Sequence, residues 1–213
     1  MRYRLAIFDF DGTLADTFPW FRRVWNDVAE HFDLPRMTDA EIEALRTLDG
    51  HGIITQLGVP VWKLPLIARH VRQPMANEVA LLSLFPGVDS LLRELGAHGV
   101  RLAIVSSNAL ANVRAILGPE NAALIQHYEC GAAIFGKRPK LRRVLREMGV
   151  RPGEAICIGD EVRDLEAAHA EGFDFGAVAW GYTQAAAFAR HRPKWVFDRV
   201  EEIAAALIGS APG

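Results

Sequence analysis

The chain has 213 residues, half of them hydrophobic, with 24 basic side chains set against 26 acidic ones. This length holds one large domain or two small ones with a real core, and the near-neutral balance argues against a nucleic-acid partner, since Arg22-Arg23, Lys137–Lys140 and Arg142-Arg143 are short, interrupted clusters. Only Cys130 and Cys157 occur and the apolar runs are strand-sized, so a reduced cytoplasmic protein without a membrane span is expected; Met1-Arg2-Tyr3-Arg4 leaves no room for a signal peptide.

Tyr3 to Phe10 reads as a buried strand, because Leu5, Ala6, Ile7, Phe8 and Phe10 are apolar without helical spacing and Gly12 ends the run. Pro19 then suits a first helical turn, with Phe21, Val24, Trp25, Val28 and Phe32 on one face. Thr38 and Glu41 have the form of a capping box before Ile42, Leu45 and Leu48. After the Asp49-Gly50-His51-Gly52 break, residues 60–82 carry helical spacing that Pro74 is expected to kink or split. No strand is predicted between Thr17 and Leu84.

From Phe85 the rhythm becomes strand and helix in alternation, the pattern of a parallel sheet with helices on both faces. Predicted strands are Arg101–Val105, Tyr128–Cys130, Ala155–Ile158, Phe175–Val178 and Trp195–Phe197, separated by helices. The fold expected is a Rossmann-like, doubly wound α/β core of residues 1–16 and 85–213, with an α-helical cap of residues 17–84 inserted into it.

In such sheets ligands bind outside the carboxyl ends of the strands. Asp9 and Asp11 follow the first strand, Ser106 the second, and Asp160 the strand at 155–158; Lys137 precedes the helix between. Two carboxylates that close repel each other unless a cation lies between them or one keeps a proton. Each residue alone has an ordinary reading as a turn former, a helix cap or a solvated charge. Their placement after separate strands is what points to one site.

Asp9-Phe10-Asp11-Gly12-Thr13-Leu14-Ala15-Asp16-Thr17 resembles the first motif of the haloacid dehalogenase-like hydrolase superfamily, most of whose members are magnesium-dependent phosphatases. Ile104-Val105-Ser106 is similar to the second motif, Lys137 to the third, and Gly159-Asp160 with Asp164 to the fourth. Val178-Ala179-Trp180-Gly181-Tyr182 looks like a segment of phosphoglycolate-phosphatase-like members. Two departures stand out: Arg138 follows Lys137 where many relatives have Pro, leaving Lys140 a rival, and Ser107 directly follows Ser106.

The resemblance implies a phosphatase acting on a small phosphorylated metabolite. Asp9 would be nucleophile and Asp11 acid and base; Ser106 and Lys137 would bind the phosphoryl group. Mg²⁺ would be held by Asp9, the Asp11 carbonyl and Asp160, with Asp164 orienting a metal-bound water or Lys137. Thr13, Asp16 and Thr17 would brace the loop, and His51, Trp20 or Trp25 would select substrate. Lys63, the lone cap lysine, does not resemble a Schiff-base lysine. A phosphomutase and a phosphate-receiver module are the alternatives; no G-x-G-x-x-G follows the first strand.

Overall fold

Leu5–Phe8 (β1) is buried along its whole length, as an unbroken apolar run with helices on both faces demands. The computed structural model describes residues 3–48, 50–131 and 136–209. Arg101–Val105 (β2), His127–Glu129 (β3), Ala155–Gly159 (β4), Asp174–Val178 (β5) and Trp195–Phe197 (β6) join β1 in one sheet of order β3-β2-β1-β4-β5-β6. Every pairing is parallel. The chain therefore runs outward from β1 in one direction and then in the other, and the order reverses between β1 and β4. That reversal opens a crevice at the carboxyl ends of these two strands.

Alternation along the strands divides the core. Ala6, Phe8, Leu102, Ile104, Ile156 and Ile158 face one layer of helices: Val88–Ala97 (α5), Leu110–Leu124 (α6) and Glu201–Ile208 (α9). Leu5, Ile7, Ala103, Val105 and Cys157 face the other: Lys137–Met148 (α7) and Val162–Ala170 (α8). Fully burying each large side chain is worth roughly 1.5–3 kcal/mol.

Between β1 and α5 the chain is helical: Phe18–Phe32 (α1), Asp39–Leu45 (α2), Gly50–Gln56 (α3) and Leu64–Asn77 (α4). This segment has its own apolar cluster around Phe18, Trp25, Ala29, Ile42 and Leu45. The capping box forms as expected, with the Thr38 hydroxyl accepting from the Glu41 N–H and the Glu41 carboxylate accepting from the Thr38 N–H. Of the two expected outcomes, α4 is not split at Pro74, and it ends three residues later. The proline lies in the last turn, where the helix is about to end and one missing N–H is tolerated.

Candidate active site

β1 ends at Phe8, and the chain then turns so tightly that the N–H groups of Thr13, Leu14 and Ala15 all converge on the Phe10 carbonyl. Gly12 makes this possible with φ of 78°. A Cβ at Gly12 would overlap the Asp160 carboxylate and the Tyr182 ring, so the turn leaves no space for any side chain there. Gly181 is equally confined, between the Asp160 side chain and the Gly12 carbonyl.

Asp9 is 8% exposed and its Oδ2 lies 2.9 Å from Lys137 Nζ. Lys137 opens α7, where the helix dipole disfavours a cation, and it is held there by Asp9 and by Asp164 at 2.6 Å. Burial, the largest influence, opposes charge on Asp9, but the Lys137 charge together with hydrogen bonds from Asp164, Lys137 and the Phe10 N–H outweighs it and holds the carboxyl below its ordinary range. Burial pushes Asp164 well above that range. The Asp9 and Lys137 charges thus persist, while Asp164 favours its proton.

Asp11 behaves in the opposite way. Burial, reinforced by the Asp9 charge, pushes it up to about 7. Its carboxylate accepts from Asn108 Nδ2 at 3.1 Å and from the Ser106 hydroxyl at 3.5 Å. Two acids two residues apart are therefore driven in contrary directions, one kept ionised and one able to hold a proton near neutrality.

Of the two lysines considered for the third motif, Lys140 points elsewhere. Its Nζ donates to the carbonyls of Ser106 at 2.8 Å, Glu129 at 3.2 Å and Gly131 at 2.6 Å, tying the ends of β2 and β3 together. The serines also divide. Ser106 is 1% exposed and its hydroxyl accepts the Asn108 N–H, whereas Ser107 lines the cavity above Asp9 and Asp11.

The carboxylates that could hold a cation differ in part from those expected. Among the described residues, Asp9, Glu161 and Asp164 bring side-chain oxygens within 4.8 Å of one another. Asp160 is not in this trio. It is fully buried, with Oδ1 accepting from the Thr13 hydroxyl at 2.8 Å and Oδ2 from the Tyr182 N–H at 2.7 Å. Burial and the Asp9 charge still push Asp160 up to about 8, so it shares the field of the site.

These residues fit a hard divalent cation. Asp164 Oδ1 is buried with no hydrogen-bond partner, and five carboxyl groups, Asp9, Asp11, Asp160, Glu161 and Asp164, gather near two cations, Lys137 and Arg163. Sequence reasoning missed Asn108, Glu161, Arg163 and Tyr182. Glu161 was readable in outline, since it stands between the two aspartates of Gly159-Asp160-Glu161-Val162-Arg163-Asp164. Thr13 braces Asp160, as expected of the loop residues. Thr17 meets the Tyr182 hydroxyl at 3.1 Å, and the Asp16 N–H donates to the Ser83 carbonyl. Trp20 lines the cavity, Trp25 belongs to the helical cluster, and the His51 side chain lies outside the described residues. Lys63 donates to the Phe32 carbonyl at 2.7 Å.

Residues 6–178 match the family model described as haloacid dehalogenase-like hydrolase. The chain belongs to the haloacid dehalogenase-like hydrolase family. A phosphoglycolate phosphatase of Synechococcus elongatus is 30% identical over 202 residues, covering 94% of this chain and 95% of its own. The tyrosine-protein kinase PtkA of Mycobacterium tuberculosis is 32% identical over 188 residues, 85% of this chain and 64% of that protein, so the chain spans less than two-thirds of it. The crystal structure of CbbY from Rhodobacter sphaeroides in complex with phosphate superposes with a TM-score of 0.70 at 25% identity, covering 94% and 96% of the two chains. This haloacid dehalogenase-like hydrolase is thus an enzyme of the phosphatase type rather than a receiver module. Cys130 and Cys157 are free, and no helix among the described residues is long and apolar enough to cross a membrane.

Proposed function

We propose that this hydrolase is a Mg²⁺-dependent phosphatase that cleaves a small phosphate monoester through an aspartyl-phosphate on Asp9. The observation that carries the reading is the divergence of the two acids. Asp9 is kept ionised by Lys137 at 2.9 Å, while burial and the Asp9 charge push Asp11 up to about 7. An ionised carboxylate beside a protonated one is the pairing that nucleophilic attack with leaving-group protonation requires.

In the first step an Asp9 oxygen attacks phosphorus, the bond from phosphorus to the ester oxygen breaks, and Asp11 gives its proton to the departing alkoxide. In the second, water attacks the same phosphorus, Asp11 takes the proton back, and the bond to Asp9 breaks to release inorganic phosphate. Lys137 stays paired with Asp9 and presents positive charge to the phosphoryl oxygens; Ser106 and Ser107 supply hydroxyls on the same side. A magnesium ion would be held by Asp9 with Asp160, Glu161 and Asp164 around it and the Asp11 carbonyl as a further donor. When bound it neutralises phosphoryl charge. Residues 17–84 act as a cap over the core of residues 1–16 and 85–213, a division supported by the separate apolar cluster of the helical segment.

The substrate is a phosphorylated metabolite of small size, for which 2-phosphoglycolate is the first compound to assay because a relative carries that name. A panel of phosphate monoesters is incubated with Mg²⁺ or with chelator, and no bisphosphate is added. Phosphate release in Mg²⁺ alone, with a hydroxylamine-sensitive phosphoryl group on the wild-type protein and none on Asp9→Asn, is expected. Turnover that needs a catalytic bisphosphate would instead point to the phosphomutase. An Asp9→Asn protein at the wild-type rate would refute the covalent scheme.

A further inference from the structure

A cavity of about 300 Å³ begins at Asp9 and Asp11 and rises to the undersides of α1 and α4. Its polar groups are all at the bottom. The upper wall is Trp20 and Phe21 from α1, and Leu64, Ile67, Val71 and Met75 along α4, spaced so that one helical face looks down on the acids. The polar edge of Trp20 is turned to Glu78, its indole N–H donating at 3.0 Å, so Trp20 offers the cavity its ring. Phe21 packs edge-on to Tyr182 with centroids 5.8 Å apart, and both rings line the space. Met75 adds a thioether that adapts to irregular shapes.

Negative charge on the leaving group finds no unengaged cation among the described lining residues. Among the described lining residues Arg163 is the one cation, and its guanidinium is already engaged by the Glu161 carboxylate, with Nε at 2.7 Å. Asp9, Asp11 and Glu161 make the rest of the lower rim acidic. A carboxylate carried on the alcohol would lose its water against carbon and gain no ion pair from the described lining residues in return. An apolar group would gain the burial itself, and a flat one would gain ring contacts as well.

We infer that this site is built for phosphate monoesters of uncharged, apolar alcohols, aromatic ones above all, and discriminates against leaving groups that carry a carboxylate. The inference rests on the phosphatase reading and narrows its substrate class.

Benzyl phosphate and its 4-carboxy derivative test it, because their alcohols differ little in leaving ability and chiefly in one negative charge. With purified full-length protein and Mg²⁺, kcat/KM for benzyl phosphate should exceed that of the carboxylated ester by at least about tenfold, mostly through KM, and should also exceed that for 2-phosphoglycolate. Val71→Lys, which puts a cation on the upper wall, should narrow or invert the gap between the two benzyl esters. Equal rates on the two esters, a preference for the carboxylated one, or hydrolysis of 2-phosphoglycolate with neither benzyl ester turned over would overturn the inference and leave the phosphatase reading standing. Release of phosphate from no monoester of the panel would bring down that reading, and this inference with it.

Discussion

The strand ends and the helical roof above them are built on opposite principles. Below, Asp9, Lys137 and Asp164 come from three segments far apart in the chain and are locked by close polar contacts of 2.6 to 2.9 Å around the Lys137 ammonium. Above, α1 and α4 present carbon, and they are held to the core through apolar packing, with Met75 against Asn108 at 3.1 Å as one of the polar touches. The difference teaches that bond-making groups and selecting groups sit on separate parts of this chain, so changes in each should be separable in kinetics.

The sharpest way to break that separation is Asp9→Asn. Turnover should fall by at least about a thousandfold in a phosphate-release assay while the far-ultraviolet spectrum stays that of the wild type. Lys137→Met comes next: loss of the phosphoryl partner should cost about a hundredfold or more in kcat. Two buried carboxyl groups would also lose their cation, a defect commonly worth about 3–5 kcal/mol, and so a lower denaturant midpoint should accompany it. Ser106→Ala and Ser107→Ala then sharpen the comparison within the lower region. Each should retain measurable activity, and because Ser107 lines the cavity whereas Ser106 is spent on Asn108 and Asp11, the Ser107 variant should lose more affinity for inorganic phosphate.

A smaller effect concerns stability. Asp11 and Asp160 are raised in the folded chain to about 7 and about 8, and Asp164 is raised as well, chiefly by burial. A carboxyl that holds its proton more tightly when folded stabilises fully at low pH and loses that contribution as pH rises through its folded value. In chelator, the thermal midpoint should therefore fall between about pH 4 and pH 8, and Mg²⁺ should restore part of it at the upper end. A midpoint that rises across this range in chelator would contradict the electrostatics described. The smallest effect expected is at Cys130. Burial pushes its thiol up to about 11, so alkylation by iodoacetamide at pH 8 should be slow and should quicken about tenfold for each pH unit.

Much of this was legible beforehand for physical reasons. Strands such as Arg101–Val105 and Trp195–Phe197 agree with their predicted limits because turn and cap residues close them on both sides. Asp9, Lys137 and Asp164 could be found because each stands where a strand ends or a helix begins. Glu161 could be read only in outline and Arg163 not at all, since opposite charges two residues apart at a helix start read as a solvated surface pair, and Arg163 does stay partly exposed while its guanidinium pairs with Glu161. Asn108 was hidden for a related reason. Its hydrogen bonds to Asp11 and Asn112 depend on β1 and β2 lying side by side. The direction of the Asp160 carboxylate depends on Thr13 and Tyr182, which no spacing along the chain connects.

Gly12 and Gly181 have a consequence of their own. The slot that receives Asp160 is as wide as it is because two side chains are missing, one from each wall. Enlarging either residue by a single methyl group would wedge the walls apart and evict the acid between them, so neither glycine can drift without the other ceasing to matter. A pair so distant along the chain thus acts as one caliper, and the gauge it keeps is that of a single carboxyl group.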